Sequence, residues 1–108
     1  MTDQEVENEL VAKGLTAPRI TAEQIQSEIV TEDYYRFPGT NVTVCCLTLA
    51  NGFTGVGHSA CVSSANFDAE MGKKIARHNA FDSLWPLFGF ALADRLYRAA
   101  CADIEHYF

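Results

Sequence analysis

The run from Asn51 to Leu92, NGFTGVGHSACVSSANFDAEMGKKIARHNAFDSLWPLFGFAL, decides the fold. It reads as a turn, a strand, a loop of small residues and then helix. Asn51-Gly52 is the strongest short signal for a β-hairpin, and a type I′ turn there needs positive φ at both residues. Ahead of it, Val42-Thr-Val-Cys-Cys-Leu-Thr-Leu49 is rich in β-branched residues and of strand length. Behind it, Phe53 to Val62 is the expected return strand, with Gly55 and Gly57 inside it, and Ser63, Ser64 and Ala65 break it. Asn66 is then placed to cap a helix that begins near Asp68, where Asp68 and Glu70 suit the positive end of the helix dipole.

Downstream, Phe67, Met71, Ile75, His78, Leu84 and Trp85 form the expected apolar stripe of that helix, which would cover one face of the sheet. On this reading His78 is a packing histidine. Gly72 inside the helix costs about 1 kcal/mol relative to Ala, so close packing or the approach of a ligand to the backbone is expected there. Pro86 lacks an N–H and predicts a new helix from about Leu84 or Pro86 to Ala102. Its face of Leu87, Phe90, Ala91, Leu92 and Leu96 exceeds what a 108-residue monomer can cover, so part of it is expected to meet another subunit. The tail from Asp103 to Phe108 is expected to be loosely ordered.

Upstream, Phe37-Pro-Gly-Thr40 is a turn, and Val30, Thr31, Tyr34, Tyr35 and Phe37 are strand formers. Thr21 starts a short helix that places Ile25 and Ile29 on one face. Leu15 to Ile20 is a linker, and Thr2-x-x-Glu5 is a capping box opening a helix from Asp3 to Lys13 that Gly14 stops. The whole is an α+β single domain. A three-stranded antiparallel β-meander packs against C-terminal helices, residues 1–20 form an acidic helical segment and linker, and residues 21–108 form the core.

The net charge of −6 lies entirely in residues 1–35, where eight acidic groups face Lys13 and Arg19; the remaining residues hold six of each sign. Duplex nucleic acid requires a basic face, so it is not an expected partner. The acidic segment is either a solvated helix or a contact for a basic partner. No apolar run reaches membrane-spanning length and the N-terminus lacks a hydrophobic signal core, so neither membrane insertion nor secretion is expected. The four cysteines, Cys45, Cys46, Cys61 and Cys101, are expected to be reduced. Cys45 and Cys46 point to opposite faces of a strand, and with His58-x-x-Cys61 they match no closed zinc module, so no metal or other cofactor is expected.

A resemblance accompanies this reading. The segments NGFT, SACVSSANFDAEMGKKIAR and LWPLFGFAL, with Ile20 to Tyr35, Gly14 to Arg19 and Thr43 to Leu49, resemble a small phage-protein family named by gene-product number, 49 in one coliphage and 66 in another phage. Through it the chain resembles the Thoeris anti-defence sponges, phage proteins that sequester cyclic nucleotide signals of bacterial immunity. The resemblance implies a host-cytoplasmic homo-oligomer, a dimer or higher, with a pocket between protomers. That pocket would use strand residues, a loop Asn matched by Asn66, and a basic helix residue just before the Trp. Val56 and Ser83 depart from the pattern.

The residues themselves point the same way. Catalysis needs a nucleophile, a base and a group that orients the base. Cys61 with His58 or His78 is the only tempting pair, and His58 and Cys61 lie three apart on a strand. The chain is therefore expected not to be an enzyme. A cyclic nucleotide or cyclic ADP-ribose-type molecule wants a cation for phosphate, an aromatic face for the base, and an amide or helix N-terminus for hydrogen bonds. Phe53, Asn66, Lys73 and Arg77 are the candidate ligand-binding residues, with Lys74, His78 and Asn79 nearby. Their plainer roles are core for Phe53, cap for Asn66 and solvated face for the lysines. The rival reading is a protein-interaction module that inhibits a host protein through the acidic N-terminal region and an apolar helix face.

Overall fold

The computed structural model describes residues 2–14 and 17–105, with side chains through residue 102. The fold is α+β. In order come helices α1 (Asp3–Ala12) and α2 (Ala22–Glu28), strands β1 (Ile29–Arg36), β2 (Val42–Leu49) and β3 (Thr54–Ala60), a 3-10 turn (Ser64–Asn66), and helices α3 (Ala69–Asp82) and α4 (Trp85–Glu105). The chain groups into two compact units. One is drawn from the two ends, up to Ile25 and from Trp85; the other is Gln26–Leu84.

The Gln26–Leu84 unit is the expected antiparallel meander, in the order β1-β2-β3. Tyr34 lies opposite Cys45, which lies opposite Gly57. The period-2 geometry of strands then sorts the central strand. Thr43, Cys45, Leu47 and Leu49 are buried, while Val42, Val44, Cys46 and Thr48 on the other face are half-buried. Pro38 and Gly39 build the β1–β2 turn: Gly39 takes φ +74°, and the N–H of Thr40 donates to the Phe37 carbonyl at 3.1 Å, the type II pattern that favours Pro then Gly.

The β2–β3 hairpin differs from the expected type I′ turn. Only Gly52 has positive φ, at +88°, and its N–H donates to the Leu49 carbonyl at 2.9 Å. Leu49 N–H in turn donates to Phe53 O at 2.8 Å. The loop is therefore three residues, Ala50-Asn51-Gly52, with Gly in the left-handed position. Asn51 stays out of the left-handed region and accepts the Phe53 N–H on its side chain at 3.0 Å. β3 also ends earlier than expected, at Ala60, and Val62 is fully exposed.

α3 lies on this sheet, and the face it uses is one residue out from the expected stripe. Leu84 is buried as expected, but along α3 itself Ala76 and Ala80 are buried, whereas Met71, Ile75 and His78 are exposed, and His78 instead pairs with Asp82 at 3.2 Å. The cause is in β3. A Cβ on Gly57 would stand 2.1 Å from Ala80 N and 2.7 Å from Ala76 O, and one on Gly55 would stand 2.6 Å from Leu84 Cδ2. The helix backbone rests on a strand stripped of side chains, so the small residues turn inward and the larger ones outward. Gly72 is used for the same purpose: a Cβ there would crowd Thr43 Oγ1 at 3.3 Å, and its carbonyl accepts the Ser59 hydroxyl at 2.8 Å.

In the other unit, α1 carries the full capping box. Thr2 Oγ1 accepts from Glu5 N at 3.1 Å, and Glu5 Oε2 accepts from Thr2 N at 3.3 Å. No α1 residue is buried. Arg19 ties the following segment to α1 by a two-pronged pair with the Glu7 carboxylate. Leu15 and Thr16 of the expected linker lie outside the described residues. Thr21 and Gln24 exchange side-chain-to-backbone bonds and cap α2, where Ile25 is fully buried. Pro86 sits in the first turn of α4. α4 runs to Glu105, so residues 103–105 of the expected loose tail are helical, and residues 106–108 lie outside the described part.

Candidate functional site

All of the site geometry falls within Gln26–Leu84. A cleft of about 210 Å³ lies between the end of β3 and the start of α3. It is lined by Asn41, Ser59 and Cys61 on the strand side and by Asn66, Phe67 and Gly72 on the helix side. Most of its polar groups are committed. Asn41 Nδ2 donates to Cys61 O at 3.2 Å and to Ser64 Oγ at 3.3 Å. Ser59 is bonded to Gly72, and the Cys61 thiol donates to Ser63 O at 3.0 Å.

The helix N-terminus is filled as well. Asp68, not Asn66, is the N-cap, and its Oδ1 accepts from Glu70 N at 3.0 Å and Met71 N at 3.3 Å. Asn66 instead closes the 3-10 turn that precedes the cap. Asp68 has the shorter reach to the first-turn N–H groups, and its carboxylate complements the dipole that an incoming anion would otherwise use. Asn66 is thereby released: it is exposed, and its carboxamide bonds to no other group among the described residues.

Beside the cleft runs a seam between β1 and α3. Glu32, Tyr34 and Arg36 share the face of β1 that carries the buried side chains of β2. Arg77 Nε donates to Glu32 Oε2 at 2.9 Å, the Lys73 ammonium lies 5.5 Å from the centre of the Tyr34 ring, and the Arg36 guanidinium lies 4.0 Å over the Phe67 ring. Two strand residues advance about 6.6 Å and four helical residues about 6 Å, which is why the first two rungs stay in step along two different elements. Arg77 also donates to Gln26 Oε1 at 2.7 Å.

The charges respond to this seam. The Arg77 hydrogen bond holds the Glu32 carboxyl below the ordinary glutamate value, against a smaller opposing effect of burial. Burial, with the nearby Cys45 and Glu32, pushes the Tyr34 phenol up to about 12. Burial also pushes the Cys45 thiol up, which makes it a poor nucleophile at neutral pH.

Two of the four expected ligand-binding residues, Lys73 and Arg77, are brought together on the seam, and Asn66 lies around the corner on the cleft rim. Phe53 is not part of this arrangement: it is about half exposed at the hairpin and does not line the cleft. Arg36 was missed by sequence reasoning, and the only available signal was its period-2 alignment with Glu32 and Tyr34 on a strand. Asn79 donates to His58 O at 2.8 Å. His58 lies opposite Val44 on the sheet face away from α3, whereas Cys61 lines the cleft. Among the described residues no three His, Cys, Asp or Glu side chains converge to hold a metal, and no helix is long and apolar enough to cross a membrane.

No curated protein and no solved structure matches the chain. A family model does match, over residues 20–96, a span that includes every residue of the cleft and of the β1–α3 seam. The chain belongs to the phage protein (N4 Gp49/phage Sf6 gene 66) family.

Proposed function

We propose that this phage protein binds and sequesters a nucleotide-derived signal, of the cyclic nucleotide or cyclic ADP-ribose type, in the host cytoplasm and without chemistry. The observation that carries the reading is the carboxamide of Asn66, unbonded among the described residues, beside Phe67 in the cleft lining, with the Arg36 guanidinium over the Phe67 ring. An amide, an aromatic surface and a cation are the groups that read a base, a ribose and a phosphate. Most of the neighbouring polar groups of the cleft are already engaged, which leaves these three among the groups that a ligand could use. The resemblance to the anti-defence sponges supports the same class of ligand.

The size of the cleft supports an oligomer. At about 210 Å³ it falls below the roughly 300–1,000 Å³ of pockets that enclose small ligands. A second copy of the chain would supply the missing wall, as the resemblance implies.

Calorimetric titration against cyclic di- and trinucleotides and cyclic ADP-ribose isomers tests the reading. Asn66→Ala should weaken binding at least about tenfold, the worth of one hydrogen bond to a fixed polar group. Its denaturation midpoint should stay unchanged, since the side chain supports nothing in the fold. Undiminished binding by that variant would remove Asn66 from the site.

A second reading, a host-protein inhibitor, is favoured by a different observation. α1 buries no residue, and α4 leaves Leu87, Phe90, Leu96 and Tyr97 exposed. Deleting residues 1–14 should then abolish capture of a stoichiometric host partner, while retained capture would count against it.

A further inference from the structure

We propose that Arg36 and Lys73 together clamp a phosphate group on the open side of the β1–α3 seam; the proposal rests on the nucleotide-binding reading above and names its phosphate contacts. Of the three rungs, only Glu32–Arg77 is balanced in charge. The next two each hold a cation over an aromatic ring: Lys73 over Tyr34, and Arg36 over Phe67. Neither cation pairs with a carboxylate among the described residues. A ring face attracts and orients a cation but does not neutralise it. Arg36 is fixed further by Nε, which donates to Thr40 O at 3.0 Å, and its Nη donors make no hydrogen bond among the described residues.

Tyr34 and Arg36 are two apart on one strand face, so the two rungs start about 6.6 Å apart along the strand. One phosphate can meet both heads with charge-assisted contacts of roughly 2.7–2.9 Å. The carboxylate that opens α3, Asp68, is engaged as the helix cap, and Glu32 is engaged by Arg77 and Tyr34. Although the chain carries a net charge of −6, two ring-held cations without a carboxylate partner among the described residues stand on adjacent rungs of this seam. The same net charge disfavours the long phosphate track of a duplex, while a single phosphate or pyrophosphate group needs only these two heads. Phe67 belongs both to the clamp and to the cleft lining, which places the phosphate next to Asn66.

The test compares wild type, Arg36→Gln, Lys73→Gln and the double variant, titrated with inorganic pyrophosphate, with cyclic dinucleotides and with a short single-stranded oligonucleotide. Each single change should weaken binding about tenfold and the double change about a hundredfold, with a shallower dependence on salt. Arg36→Lys should recover only part of the loss, because the planar fork is gone. Denaturation midpoints of the variants show that the fold is intact. A double variant that binds every probe as wild type does would overturn the clamp. If Asn66→Ala loses cyclic nucleotide binding while the double variant keeps it, the clamp fails and the functional reading stands. If pyrophosphate binds and depends on Arg36 while no nucleotide binds, the clamp stands and the functional reading fails. Preferential binding of the oligonucleotide, lost in the double variant, would support the clamp and identify a strand rather than a small molecule as the source of the phosphate.

Discussion

Against β3, helix α3 lies backbone on backbone: Gly55 and Gly57 below, Ala76 and Ala80 above, with Leu84 sealing the end. Against β1 the same helix stands off on long side chains, with Glu32, Tyr34 and Arg36 answering Arg77, Lys73 and Phe67. Along Gly55 and Gly57 the first contact is fixed by volume, and the cleft opens only beyond them, at the end of β3. The second is fixed by charge and ring faces, with Glu32, Arg36 and Lys73 exposed to solvent. On the proposed function, close packing and the phosphate contacts fall on opposite edges of one small sheet. A substitution on one edge should disturb one property and spare the other.

The largest break is expected at Gly57. Gly57→Ala would drive a methyl group into the α3 backbone, which has no rotamer with which to yield, and should cost about 3 kcal/mol or more. Urea denaturation measures this, and a loss below about 1 kcal/mol would show that the helix is not seated so closely. Next comes Asp68→Ala, which removes the cap of α3 and should cost about 1 kcal/mol, read from the same midpoints.

Arg77→Ala should cost less than about 1 kcal/mol, because its partner Glu32 is partly exposed and the pair is screened by solvent. The variant sharpens the comparison through acid. The Glu32 carboxyl sits below its ordinary value, so its contribution is present at neutral pH and is lost as pH falls through the depressed value. Arg77→Ala should therefore flatten the acid limb of the stability profile. An equally steep limb would mean that the seam is not held by this pair.

The smallest effect is at the alkaline end. Tyr34 titrates near 12 rather than 10.0, so its contribution is complete below about pH 10 and is lost as pH rises toward 12. In a tyrosinate absorbance titration one tyrosine should lag behind the others, and Tyr34→Phe should remove the lag.

Much of this architecture was legible in the residues. Val42–Leu49 declares a strand by its β-branched run, Pro38-Gly39 declares a turn, and Pro86 declares a new helix, because each acts through local backbone sterics. The face of α3 was not legible. Helical spacing admits a stripe through Met71 and Ile75 as readily as one through Ala76 and Ala80, and ordinary hydrophobicity favours the larger residues. The choice is made by Gly55 and Gly57, two glycines in a strand that meets the helix only in three dimensions. The same limit applies to the site. Lys73 and Arg77 stand out as cations on a helix start, but Arg36 gains its role from the register of β1 beside α3. Asn66 and Asp68 are both good caps, and the geometry of the preceding 3-10 turn decides between them.

The most direct test of the account is to titrate the wild-type protein with the cyclic nucleotide and cyclic ADP-ribose series and then recover the bound molecule after denaturing the protein. The account predicts saturable binding of one of these molecules, with that molecule returned chemically unchanged. No binding of any of them, or recovery of a cleaved product, would contradict it.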